Sequence, residues 1–291
     1  MYSGVFPAIV TPFKEDMSLD EEGLERNVKY LSNTGIAGIV PCGTTGESAT
    51  LTIAEHKRVI EIAVENSKVP VIAGTGSNNT REAVELTCHA AEAGADAALL
   101  ITPYYNRPNE RGMFEHFKTV AEKCDIPMVL YNVPKRTGID LKPELVAKLS
   151  RIKNIVAIKE ASGNLSQLSQ IIEQTQGSDF SVLCGDDDLT LPAMALGAKG
   201  VISVVANVAP RKTVAMVNAM LKGDLEKARS LHYQLAPLVR AMFLETNPIP
   251  VKTAHKYLGL AGGPLRLPLA EMAPDKEKAL KESLESLGER A

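Results

Sequence analysis

The stretch Asn154-Ile155-Val156-Ala157-Ile158-Lys159-Glu160-Ala161-Ser162-Gly163 runs four apolar residues into a lysine and then into a glycine turn. A short apolar run with turn signals on both sides reads as a buried strand. Asn164 then opens a helix-like segment, so the local unit is strand, loop, helix. Lys159 thereby stands at the end of a strand that faces no water. Poor solvation of an ammonium favours the neutral, nucleophilic amine, which is what an imine-forming lysine requires. The plainer reading is a lysine that caps the strand and carries its charge out to solvent on its methylene stem.

Similar runs begin near Val5, Ile36, Val71, Ala97, Met128, Ser181 and Val201. With the run from Ile155 they make eight, spaced 20 to 35 residues apart. Helical stripes fill the gaps, as at Ile53, His56, Ile60 and Val64, and at Ala83, Leu86, Ala90 and Ala91. Ser18-Leu19-Asp20-Glu21 and Thr52-Ile53-Ala54-Glu55 read as capping boxes, and Asn79 with Glu82 approximates one. Pro143 suits a first helical turn, and Gly35, Gly94 and Gly197 suit helix ends. Near-continuous apolar strands argue for a parallel sheet covered by helices. Eight β-then-α units predict an α/β fold, a TIM (β/α)8 barrel, with a doubly wound open sheet as the alternative. Past about Pro210 the strand signal ends. The expected organisation is a catalytic barrel over residues 1–222 and a C-terminal helical extension over 223–291, broken at Asn247-Pro248-Ile249-Pro250.

Composition narrows the function. The 291 residues are 45% hydrophobic, and 32 basic against 35 acidic residues leave a net charge of -3. Without a basic run, nucleic acid is not an expected partner. Apolar stretches are all broken short of transmembrane length, and Met1-Tyr2-Ser3-Gly4 lacks the character of a signal peptide. Cys42, Cys88, Cys124 and Cys184 are scattered without a CxxC and read as reduced thiols of a cytoplasmic protein. Five isolated histidines offer no zinc spacing, so no metal and no cofactor is expected.

A barrel keeps its reacting groups where the strands end. The polar and glycine-rich clusters fall there: Gly43-Thr44-Thr45-Gly46-Glu47-Ser48, Thr102-Pro103-Tyr104-Tyr105-Asn106-Arg107-Pro108, Tyr131-Asn132-Val133-Pro134, Lys135-Arg136-Thr137-Gly138, Lys159, Gly185-Asp186-Asp187-Asp188 and Ile202-Ser203. The first suits an anion held by backbone N–H groups and hydroxyls, or is a plain βα turn; it lacks the P-loop pattern. A tyrosine at 131 beside Lys159 suits proton transfer during imine formation, or is a satisfied core tyrosine. Arg136 suits a bidentate grip on a carboxylate, or is a solvated loop residue. The three aspartates read as helix caps rather than a metal site.

These clusters together resemble the pyruvate-dependent class I aldolase family of N-acetylneuraminate lyase and dihydrodipicolinate synthase, in order from about Gly4 to Pro268. Arg136 within Lys135-Arg136-Thr137-Gly138, and Asn247-Pro248-Ile249-Pro250-Val251-Lys252, resemble the dihydrodipicolinate synthase branch. The resemblance implies a Schiff base between Lys159 and pyruvate, loss of a methyl proton, and attack of the enamine on L-aspartate 4-semialdehyde. It implies a proton relay of Tyr131, Thr44 and Tyr105, pyruvate against Thr45 and Ile202, and the semialdehyde carboxylate on Arg136. It further implies a homotetramer, a dimer of dimers, in which Tyr105 reaches the neighbouring subunit's site. Positions matching the lysine inhibitor site of relatives are Ala49, His56, Gly76, Asn78, Glu82 and Tyr104. Acidic Glu82 and aromatic Tyr104 suit a cationic amino acid, whereas Ile53 replaces a histidine common in lysine-sensitive relatives. The rivals are a sibling aldolase cleaving a sugar acid, which has less need of Arg136, and a non-catalytic barrel, which has no need of Lys159, Tyr131 and Thr44 together.

Overall fold

The computed structural model describes residues 2–288. Seven of the eight apolar runs form strands: β1 (Gly4–Pro7), β2 (Ile72–Gly74), β3 (Ala97–Ile101), β4 (Met128–Asn132), β5 (Ile155–Glu160), β6 (Ser181–Cys184) and β7 (Gly200–Ser203). They lie in one sheet in the order β1-β7-β6-β5-β4-β3-β2. The ladders from β2 through to β7 are parallel, and helices fill the intervals between strands. The strand residues are almost all buried, including their outward-facing positions, as a parallel sheet covered by helices demands.

The run from Ile36 departs from expectation. It makes single parallel bridges, Val40 with Ala8 and Ile39 with Val71, and no strand of its own. Pro41 follows Val40 directly and has no N–H with which to extend the ladder. The observed sheet is therefore seven-stranded, with an eighth segment attached by bridges.

The chain forms two compact units. One is Ile72–Ile202 with the N-terminal residues up to Gly4; the other is Val5–Val71 with the chain from Ser203 onward. The first holds β2 to β6 with their helices. The second holds the Gly43–Ser48 turn and the helices Pro210–Leu221, Leu225–Ala241, Ile249–Leu258 and Pro274–Leu287.

Local signals account for most helix ends. Thr52 and Glu55 make a reciprocal capping box at the helix Ile53–Asn66, and Pro143 begins the helix Pro143–Leu149. At the first helix, Glu21–Ser32, the cap is Asp20 rather than Ser18: its carboxylate accepts from the Gly23 N–H. Met17 and Ser18 instead belong to a tight turn in which Asp16 accepts from Ser18. Asp186 precedes the 3-10 turn Asp187–Leu189 without a side-chain capping bond, so the expected capping role is not seen there.

The cysteine expectation is also corrected. Cys88 and Cys124 form a disulfide with Cα atoms 5.0 Å apart, while Cys42 and Cys184 are free and buried. The bridge joins the helix Thr80–Glu92 to the residue that ends the helix Glu110–Lys123. Its half-cystines are 36 residues apart, and only the packing of those two helices brings them together.

Two buried histidines make stability depend on pH. Burial pushes His116 down to about 4 and His255 down to about 4. His116 shares a 2.9 Å hydrogen bond with the Thr80 hydroxyl, and His255 donates from Nδ1 to the Ala261 carbonyl. Their folded values lie below the unfolded one, so the neutral forms stabilise the fold above about pH 6.5, and that contribution is lost as pH falls toward 4. Urea unfolding should show a loss of roughly 2 kcal/mol per histidine between pH 7 and pH 4.5. His116→Gln should remove about half of that pH dependence; an unchanged slope would contradict the assignment.

Candidate active site

Strand alternation sorts the residues at the ends of β4 and β5. In the ladder Tyr131 pairs with Lys159, and Asn132 pairs with Glu160. The two pairs point to opposite faces. Tyr131 and Lys159 are each 6% exposed, and the Lys159 Nζ rests 4.2 Å from the centroid of the Tyr131 ring. The amine is thus desolvated by burial and stacked on a π-face, with its neighbour's phenol on the same side chain.

β6 completes the enclosure of the lysine. The Gly185 N–H donates to the Glu160 carbonyl at 2.8 Å. A Cβ at Gly185 would lie 2.6 Å from the Ala161 Cβ and 3.0 Å from the Lys159 Cε. Only a residue without a side chain lets the lysine stem pass at that distance. Gly185→Ala should therefore displace Lys159 and lower kcat/KM by about 10²-fold, since a misplacement of order 1 Å costs that much. Steady-state kinetics on a variant with unchanged circular dichroism test this, and retention of wild-type kcat/KM would contradict it. Beside this glycine, burial and the Asp188 charge push the Asp186 carboxyl up, while Lys135 and Lys159 pull it down.

The opposite face carries a polar network. The Asn132 amide donates to Glu160 Oε2 at 3.0 Å and to Asp140 Oδ1 at 2.8 Å, and its carbonyl accepts from the Leu141 N–H. Gln167 donates to the same Asp140 oxygen, and the Ser162 N–H donates to Glu160 Oε1. Burial raises the Glu160 carboxyl above the usual range against the pull of those donors. Burial also acts to raise Asp140, but bonds from Lys142, Asn132 and Gln167 outweigh it and hold that carboxyl below the usual range. This network fixes the two strand ends from behind, and it also reaches Leu141, just beyond the Arg136 loop.

Ile202 is buried in β7. Arg136 is exposed on the short helix Pro134–Thr137, which Gly138 ends in a left-handed conformation. Tyr104 and Tyr105 lie on the loop after β3. Tyr105 is 90% exposed and adopts φ +67, a conformation bulky residues hold only under constraint. Asn106 supplies one such constraint by donating to the Asn78 carbonyl at 2.9 Å.

In the other unit, the Gly43–Ser48 turn is closed by bonds from the Gly46 N–H to the Gly43 carbonyl and from the Glu47 N–H to the Thr44 carbonyl. Thr44 is half-buried and Thr45 buried. The Thr45 hydroxyl accepts from the Asn247 amide at 3.0 Å. Of the six residues matched to a lysine site, exposed Ala49 and buried His56 belong to this unit. Gly76, Asn78, Glu82 and Tyr104 belong to the first, where the Asn106 bond ties Asn78 to the tyrosine loop.

Sequence reading paired Tyr131 with Lys159 but assigned no roles to Asn132, Asp140, Glu160 and Gln167, or to Asn247, Lys252 and Arg266. Asn247 and Lys252 fall within the stretch Asn247-Pro248-Ile249-Pro250-Val251-Lys252 that the resemblance singles out, and that was the signal available for them. Among the described residues no group of three or more His, Cys, Asp or Glu is placed to hold a metal ion.

The model of the dihydrodipicolinate synthetase family matches residues 1–287. A protein of Methanothrix thermoacetophila named 4-hydroxy-tetrahydrodipicolinate synthase is 70% identical, the match covering 99% of this chain and 98% of that protein. A crystal structure of dihydrodipicolinate synthase from Acinetobacter baumannii complexed with pyruvate is 42% identical, with a TM-score of 0.95 and 99% of each chain covered. One from Cyanidioschyzon merolae with lysine bound is 40% identical, with a TM-score of 0.95, covering 99% of this chain and 98% of that one.

Proposed function

The chain belongs to the dihydrodipicolinate synthetase family, and from that premise we propose that it is a 4-hydroxy-tetrahydrodipicolinate synthase, a lyase of the class I aldolase type. The observation that carries the reading is the buried Lys159 amine against the Tyr131 ring. The amine adds to the keto carbon of pyruvate, and water leaves to give an imine. Loss of a methyl proton gives the enamine, whose carbon attacks the aldehyde of L-aspartate 4-semialdehyde. The semialdehyde's amine then closes the ring on the imine carbon and releases Lys159.

Tyr131, with Thr44 and Tyr105, moves protons in these steps. Tyr105 serves the site of a neighbouring subunit, a role its exposure and fixed backbone support. Thr45 donates to the pyruvate carboxylate, Ile202 lines the same pocket, and Arg136 grips the semialdehyde carboxylate. The active assembly is a homotetramer, a dimer of dimers. L-lysine binds at Ala49, His56, Gly76, Asn78, Glu82 and Tyr104 as a feedback inhibitor. The lysine-bound relative from Cyanidioschyzon merolae supports that reading, and Ile53 weakens the expected response.

The fold we propose is a closed (β/α)8 barrel over residues 1–222 with a helical extension over 223–291. Likeness to relatives at a TM-score of 0.95 supports it, as do the bridges that Ile39 and Val40 make to Val71 and Ala8. Among the described residues no helix is long and apolar enough to cross a membrane, and we place the enzyme in the cytoplasm with no nucleic-acid partner.

Two assays test the activity. Pyruvate with L-aspartate 4-semialdehyde should give a cyclic product reducible by the next enzyme of such a sequence, and N-acetylneuraminate should release no pyruvate. Turnover of the sugar acid with none of the semialdehyde would overturn the assignment in favour of the sibling aldolase.

A further inference from the structure

The Gly43–Ser48 turn is held in a conformation that its own sequence does not favour. Cys42, just before it, and Glu47, within it, both adopt left-handed backbone with φ +54 and +51. Non-glycine residues keep such values only where the surroundings over-determine them.

The surroundings here are specific. The Glu47 carboxylate, 0% exposed in its side chain, meets the Lys252 ammonium, 2% exposed, at 2.5 Å. Its second oxygen accepts from the Arg266 backbone N–H at 3.1 Å. Lys252 also donates to the Pro264 carbonyl at 2.7 Å. Lys252 and Arg266 lie over the Phe13 ring, at 4.3 and 4.1 Å from its centroid. The Arg266 guanidinium reaches the Thr50 carbonyl at 3.0 Å and the capping residue Glu55. The Thr11 hydroxyl donates to the Gly46 carbonyl at 2.7 Å, and Asn247, five residues before Lys252, donates to the Thr45 hydroxyl.

A buried ion pair is a poor source of net stability, since desolvation offsets its attraction. What it supplies is a fixed distance and direction between two chain segments. We propose that the Glu47–Lys252 pair is a positioning clamp: it sets the backbone of the Thr44–Glu47 turn so that the Thr45 hydroxyl is aimed at the carboxylate of the keto-acid substrate. Neither residue touches substrate; both act through Thr45. The clamp rests on the reading of the site given above.

The test removes both charges together, so that neither is left buried and unpaired. Glu47→Met with Lys252→Met, in the full-length enzyme, should retain a melting temperature within about 5 °C of wild type. Its KM for pyruvate should rise at least about tenfold, and its KM for the semialdehyde should stay within about twofold. A merely structural role predicts fewer active molecules, hence a lower kcat with both KM values unmoved, and that result would overturn the clamp. If the methionine pair does not fold, Glu47→Gln with Lys252→Gln is read by the same assay. Failure of both pairs to fold would assign the ion pair to folding and overturn the positioning role. Borohydride trapping of pyruvate on wild-type Lys159, run alongside, separates the two claims. No wild-type adduct sinks the reading of the site, whereas a wild-type adduct with an unchanged pyruvate KM in the double variant sinks the clamp alone.

Discussion

Lys159→Ala is expected to lower kcat/KM by at least about 10⁴-fold, about 5.4 kcal/mol of transition-state stabilisation. The size follows from the role. A nucleophile that forms the covalent intermediate has no substitute in the site, and the Tyr131 side chain against it offers a phenol, not an amine. The fold should survive, because the strand that carries Lys159 is held by its backbone ladder to both neighbours. Steady-state kinetics with thermal unfolding as a control make the measurement. Activity within about tenfold of wild type would remove Lys159 from the chemistry.

The second large effect is expected at Tyr131. Tyr131→Phe keeps the ring on which the Lys159 Nζ rests at 4.2 Å and removes the hydroxyl. Positioning of the amine is therefore preserved and proton transfer is not. A fall in kcat/KM of about 10²- to 10³-fold, in the range of lost general acid–base catalysis, is expected. The imine with pyruvate should still form to completion, only more slowly. Loss of the imine altogether would show that the hydroxyl holds the lysine in place. A kcat/KM within about threefold of wild type would dismiss the phenol as a proton carrier.

The reach of the sequence can be judged from these same residues. Lys159 and Tyr131 were legible because each ends an apolar run, and a run of that kind reports both a strand and its direction. Parallel pairing then follows from the helices between runs, and adjacent strand ends follow from parallel pairing. The Ile36 run was read as a strand on the same grounds, yet Pro41 and its short length leave it with single bridges. Contacts made by side chains far apart in the chain left no such pattern. Glu47 and Lys252 are 205 residues apart, and Cys88 and Cys124 are joined across two helices. Their meeting depends on tertiary packing, which a periodicity does not encode. The Asn132–Asp140–Glu160 network lay within one stretch of chain, but its polar residues also fit a solvated loop, and only burial distinguishes the two.

The central claim is that Lys159 forms an imine with pyruvate. The direct measurement is borohydride reduction of the wild-type enzyme with pyruvate, followed by peptide mass mapping. The account predicts one reduced pyruvate adduct per chain, on the peptide that carries Lys159, together with loss of activity in proportion to its yield. An unmodified Lys159 in an enzyme that remains active on pyruvate, or an adduct on a different lysine, would contradict it.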